Sequence, residues 1–143
     1  PELEYTEQVL REAMRLYPPV PSIPRETTER LELGGYTLPA GATVAPMQWT
    51  IHRDERFWDD PLAFRPERFA GDDERPKFAY FPFGGGPRRC IGQQFALVEA
   101  KLILATLARQ YHLTLLSDPN IDLSVSITTR PLDPIRMRAE PRE

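Results

Sequence analysis

The 143-residue chain is 41% apolar and 27% charged, enough for one globular domain with a core. A formal net charge of −3 gives no electrostatic reason to expect a nucleic-acid partner, no apolar run approaches membrane-spanning length, and no signal peptide is visible. The single cysteine forms no internal disulfide, so nothing argues for an oxidising compartment.

Sixteen prolines imply much ordered but irregular chain. Among 18 basic residues only Lys77 and Lys101 are lysines, a bias that either genome composition or arginines forking onto carboxylates would produce. The chain opens on Pro1, and a helical pattern begins within a few residues. It is therefore expected to be a piece of a longer protein.

Residues 5–17 read as a helix with Val9, Ala13, Leu16 and Tyr17 as its apolar stripe, widened by Leu10 and Met14. Pro18 and Pro19 stop it, and the stretch to Pro24 is extended, because proline drives its predecessor out of the helical region. Residues 30–48 read as strands: RLEL and YTLP flank a Gly34-Gly35 turn, and TVAPM follows a second turn at 39–42. QWTIHRDERFW is expected to hold a short helix. Residues 59–89 have no sustained period and five prolines, the mark of a long functional loop. Residues 93–110 form the strongest helix, apolar on nearly every side and so expected to be buried in a larger body. HLTLL and VSITTRPLDPIRMRA read as strands with a turn near 131–134, and the terminal EPRE is expected to fray.

The chemistry concentrates in FPFGGGPRRCIG, residues 81–92, which holds the lone thiol. Gly84, Gly85 and Gly86 permit positive φ and close backbone approach, as does Gly92 beyond the cysteine. Cys90 stands just before a helix N-terminus, with Arg88 and Arg89 beside it, and both features favour an anionic sulfur. A thiolate on a glycine-lined loop suits a large flat metal cofactor. Rival readings fail on residue count: structural zinc needs four ligands, a phosphate loop needs Gly-Lys-Ser/Thr, and a dinucleotide fingerprint needs glycine where Arg89 stands. A cysteine nucleophile would need His52 or His112, and neither lies in a recognisable motif.

FGGGPRRCIG resembles the haem-binding loop of the cytochrome P-450 family, F-x-x-G-x-R-x-C-x-G, with Phe83, Gly86, Arg88, Cys90 and Gly92 at the matching positions. Three further segments resemble the family in the same order. EAMRLYPP carries Glu12 and Arg15, the E-x-x-R pair of the K helix. PPVPSIPRET carries Arg25, and FRPERF carries Arg68. The resemblance implies one partial domain over 1–143, mainly α with small β-sheets (α+β). It comprises a K helix at about 5–17, β region 30–48, meander 59–82, haem loop 83–92, buried helix 93–110 and C-terminal hairpin region 111–139.

It also implies roles. Cys90 would be the axial ligand of haem b, favouring O–O cleavage by electron donation. Arg88 and Arg25 would meet haem propionates, Phe83 would shield the sulfur, and Gly86 and Gly92 would let the backbone approach. His52, in IHRDERFW, is a further candidate for a propionate contact, set against a structural histidine. Glu12, Arg15 and Arg68 would close a structural ionic network. Val20, Ile23, Ile127 and Thr128 would approach a small lipophilic organic substrate. The implied reaction inserts one atom of O2 into that substrate, with electrons from NAD(P)H through a ferredoxin or flavoprotein reductase docking near Arg89. The alternatives are a peroxide-using or isomerising haem-thiolate enzyme and a non-catalytic fragment. The oxygen-activating helix of the family lies upstream of the K helix, and the helix after Cys90 has no partner here for much of its apolar surface, so these 143 residues alone are expected to bind haem weakly or not at all and to be inactive. Bacterial members are soluble and eukaryotic members are anchored by an N-terminal segment, which leaves localisation open.

Overall fold

Residues 3–71 and 74–142 are described by the structure, a computed structural model; Pro1, Glu2, the meander residues 72–73 and Glu143 lie outside the described residues. Helix α1 (Glu4–Leu16) has Glu4 and Glu7 in its first turn and Arg15 in its last, matching the helix dipole at both ends. The Tyr17 N–H closes the last turn on the Ala13 carbonyl at 2.7 Å, and Pro18 ends the helix. Its inward face corrects the expected apolar stripe. The buried residues are Glu12, Arg15 and Leu16, while Tyr17 is 56% exposed. The charged pair goes inward because partners from distant loops meet it there.

Strands β1 (Arg25–Glu26), β2 (Leu31–Leu33), β3 (Tyr36–Leu38) and β4 (Thr43–Val44) form two antiparallel pairs, β1 with β4 and β2 with β3. Gly34 and Gly35 turn β2 into β3 with φ of 57° and 84°, the two positive angles a tight hairpin turn demands. A short helix, α2 (Gln48–Ile51), follows. From 59 to 82 the described residues contain only a 3₁₀ turn, Pro66–Phe69. Aromatic packing orders this stretch instead: the Trp58 and Phe69 ring centroids are 5.8 Å apart and those of Phe69 and Tyr80 5.0 Å.

Helix α3 (Gln93–Gln110) has the expected limits and packs on α1, with Lys101 paired to Glu7. None of its residues is buried within this chain, and Phe95, Val98, Leu102 and Ile103 are each more than half exposed. Strand β5 (Tyr111–Leu115) runs into β6 (Leu123–Val125), β7 (Thr129–Pro131) and β8 (Met137–Pro141). The hairpin turn lies at 126–128, between β6 and β7, and the expected turn near 131–134 falls in the connection 132–136 that leads to β8. The pairing corrects one expectation, that of a frayed end. Residues 140–142 are not frayed: Pro141 pairs with Tyr111, and the Arg142 N–H reaches the Gln110 carbonyl at 2.8 Å. All the sheets among the described residues have two strands, so the fold is mainly α with small β-sheets, as expected.

Candidate functional site

The cysteine loop is built outward from Phe81. The main chain of that residue is held by α2 and the residue after it: the Gln48 amide donates to its carbonyl, and its N–H donates to His52 Nε2 at 2.9 Å. The Gly84 N–H then closes a turn on the same carbonyl at 2.9 Å. Gly84 and Gly86 take φ of 74° and 66°, a region costly for any side-chain-bearing residue. A 3₁₀ turn, Gly86–Arg88, follows, and the Cys90 N–H returns to the Phe83 carbonyl at 2.9 Å. The loop is thus tied at 83 and 90, and its sulfur is left exposed. Gly92 leads directly into α3; a Cβ there would stand 3.9 Å from Cys90 Sγ.

The glycine run lines two cavities. One, of about 450 Å³, is bounded by Ile23, Arg25, Pro46, Phe78, Phe81 and Gly84 to Gly86. The other, of about 670 Å³, carries Arg11, Lys77 and Arg89 among its lining residues. Glycine is required at these positions for different reasons. A Cβ on Gly85 would collide with the Phe78 ring and one on Gly84 would come within 3.2 Å of Ile23 Cδ1, whereas Gly86 has open space and needs glycine for its φ. Arg25 reaches the first cavity and donates to the Pro24 carbonyl at 2.8 Å; Arg88 is exposed on the 3₁₀ turn.

His52, a candidate for either a propionate contact or a structural histidine, is fully buried. Its ring lies 5.2 Å from that of Tyr80 and 5.3 Å from that of Phe81. Burial, then the nearby charge of Arg15, pushes its pKa down to about 4, so it stays neutral and can accept the Phe81 N–H. Val20 and the hairpin tip are brought together, because the Thr129 N–H bonds the Pro19 carbonyl at 2.8 Å. Ile127, at the tip, is 88% exposed. Of the expected substrate contacts, Ile23 lines the Arg25 cavity, whereas Val20, Ile127 and Thr128 do not.

Behind the loop lies the ionic network. Glu12 accepts Arg15 Nε at 2.7 Å and Nη2 at 2.8 Å, Arg68 Nε at 3.0 Å and the Arg65 N–H at 2.9 Å. Arg15 spends its remaining donors on the carbonyls of His52, Pro61 and Ala63. Burial alone would raise the Glu12 pKa; the hydrogen bonds from Arg15 and Arg65, with the charges of Arg15 and Arg68, outweigh it and hold the carboxyl below its usual range.

Residues the sequence reading passed over are Gln48, Phe78 and Tyr80. The one available signal was the i,i+4 spacing of Gln48 and His52, which puts both on one side of a helical turn. The donor set suits haem b. It offers one exposed soft sulfur, a glycine wall that projects no side chain, and guanidinium groups able to fork onto carboxylates.

Comparison with known proteins agrees. The family model described as Cytochrome P-450 matches residues 1–134. Cytochrome P-450 4X1 of Mus musculus is 47% identical over 73% of this chain and 21% of its own length. Cytochrome P-450 3A27 of Oncorhynchus mykiss is 34% identical over 99% of this chain and 28% of its own. The solved structure of retinoic acid-bound cyanobacterial CYP120A1 superposes with a TM-score of 0.89 at 38% identity, covering 96% of this chain and 32% of that one. The chain therefore spans about a quarter of the length of the curated relatives it matches. With sequence, fold and loop in agreement along nearly its whole length, the chain belongs to the cytochrome P-450 family.

Proposed function

We propose that this chain is the cysteine-bearing part of a haem-thiolate monooxygenase in which Cys90 holds the iron. Proteins of this family bind haem b. The observation that carries the reading is the exposed Cys90 sulfur, beside Gly92, at the end of a loop whose glycines wall a cavity reached by Arg25. When bound, the haem supplies the oxygen chemistry, with thiolate donation favouring O–O cleavage.

The chain's own residues do the rest. Cys90 presents a sulfur whose backbone is fixed by the Phe83 carbonyl, so the ligand does not wander. Arg25 and Arg88 fork onto the cofactor's carboxylates. Gly86 and Gly92 allow close backbone approach, and Phe83 packs beside the sulfur. Ile23 gives the Arg25 cavity an apolar wall suited to a lipophilic substrate; Val20, Ile127 and Thr128, outside that cavity, are the further substrate contacts of the whole protein that the family resemblance implies. Arg89, with Arg11 and Lys77, gives the other cavity a cationic lining for an electron-donating ferredoxin or flavoprotein reductase. The overall reaction balances with two electrons from NAD(P)H and two protons: a substrate C–H becomes C–OH, and the second oxygen atom leaves as water.

The test is turnover of the full-length protein under isotopically labelled dioxygen with a reductase. One labelled atom in the product and one in water is expected. Product formed from peroxide alone, with no label from O2 and no need for a reductase, would replace this reading with a peroxide-using or isomerising enzyme.

A further inference from the structure

Gln48 and His52 take no part in that reading, yet both are wholly shielded from solvent. Their side chains converge on the main chain of a single residue, Phe81. Gln48 Nε2 donates to the Phe81 carbonyl and His52 Nε2 accepts the Phe81 N–H, so both polar groups of that residue are held from one side of the α2 turn. The turn is itself anchored: the Trp49 N–H bonds the Pro21 carbonyl at 3.1 Å, and the His52 carbonyl accepts Arg15 Nη1 at 2.7 Å. Phe81 stands two residues before Phe83, whose carbonyl receives the Cys90 N–H, and its own carbonyl also receives the Gly84 N–H. Any shift of the Phe81 peptide therefore moves both the glycine wall and the attachment point of the cysteine.

We propose that Gln48 and His52 are positioning residues, a two-point clamp on the Phe81 main chain that sets where the Cys90 sulfur is presented; this rests on Cys90 being the iron ligand. The clamp works only with a neutral imidazole, because an imidazolium would turn an N–H toward the Phe81 N–H. The charged and titratable groups facing the ring are Arg15 from α1, Arg53 from the chain just after α2, and Tyr80 from the aromatic stretch. Both guanidinium groups oppose a further positive charge there, which keeps the acceptor in place.

The test uses the full-length protein with His52→Leu, His52→Gln and Gln48→Met. Three quantities are read: hydrogen exchange of the Phe81 amide and alkylation rate of Cys90, both without haem, and the carbonyl spectrum of the reduced, haem-loaded protein. His52→Leu leaves a buried N–H unpaired, so Phe81 exchange should rise roughly tenfold or more, Cys90 alkylation should change, and the thiolate-type band should diminish. His52→Gln, which restores an acceptor, should bring all three back toward the parent. Should His52→Leu not fold, Gln48→Met decides, with faster exchange at Gly84 and a diminished band expected. Unchanged exchange and spectrum in the folded variants, or equal loosening of α1 with no rescue by glutamine, would overturn the clamp. Failure of the parent protein to show a thiolate-type band would remove the Cys90 reading instead, and the two haem-free readouts would still judge the clamp.

Discussion

Replacing Glu12 with alanine strands the Arg15 guanidinium in the core. Glu12 and Arg15 are both fully buried, and the substitution deletes every hydrogen bond that carboxylate accepts, from Arg15, Arg68 and the Arg65 N–H. Arg15 keeps its three carbonyl partners but loses its counter-ion. Breaking a buried pair by removing one member costs about 3–5 kcal/mol, against about 0–1 kcal/mol for an exposed pair. On a typical total of about 5–15 kcal/mol that is a large share. Urea unfolding followed by the fluorescence of Trp58, whose ring centroid is 5.0 Å from the Arg15 guanidinium carbon, reads it directly. The midpoint should fall by roughly 2 M. Because the folded carboxyl titrates below its unfolded value of 4.5, its contribution is present above that pH and fades as pH falls through the lower folded value. The deficit of Glu12→Ala should therefore shrink in acid. A loss below about 1 kcal/mol at neutral pH would refute the buried-network account.

His52 titrates near 4 in the fold against 6.5 in the free side chain, so it favours the fold above pH 6.5 and loses that contribution as pH falls toward 4. The gap corresponds to roughly 3 kcal/mol, and His52→Gln should flatten that part of the pH–stability curve measured by urea titration. Gly86→Ala meets no steric neighbour but forces alanine to a φ of 66°, so calorimetry should register a loss of about 1–2 kcal/mol. Lys101→Ala removes a partly exposed pair with Glu7, and a change of at most about 1 kcal/mol is expected in the same assay.

What could be read from residues alone follows the range of the interaction involved. The limits of α3 and the Gly34–Gly35 turn are local, governed by apolar period and by φ, and both stand where the pattern puts them. The cysteine loop was legible because its chemistry needs a rare combination of residues within ten positions. The inward face of α1 was not legible from its stripe, since the partners of Glu12 lie 53 and 56 residues away. A helix seen in isolation scores Glu12 and Arg15 as surface. The pairing of Tyr111 with Pro141 is also non-local, which is why the terminal residues read as fraying. Gln48, and the tie of His52 to the Phe81 main chain, were not legible for the same reason: Phe81 is 33 and 29 residues downstream, and the i,i+4 spacing of Gln48 and His52 does not name their partner.

The central claim is that Cys90 holds the iron, and the most direct measurement is the carbonyl spectrum of the reduced full-length protein before and after Cys90→Ser. The side chain is exposed, so far-ultraviolet circular dichroism should not change. The account predicts a thiolate-type band in the parent and its loss in the variant, with haem left bound weakly or through another ligand. A thiolate-type band that survives Cys90→Ser would contradict it.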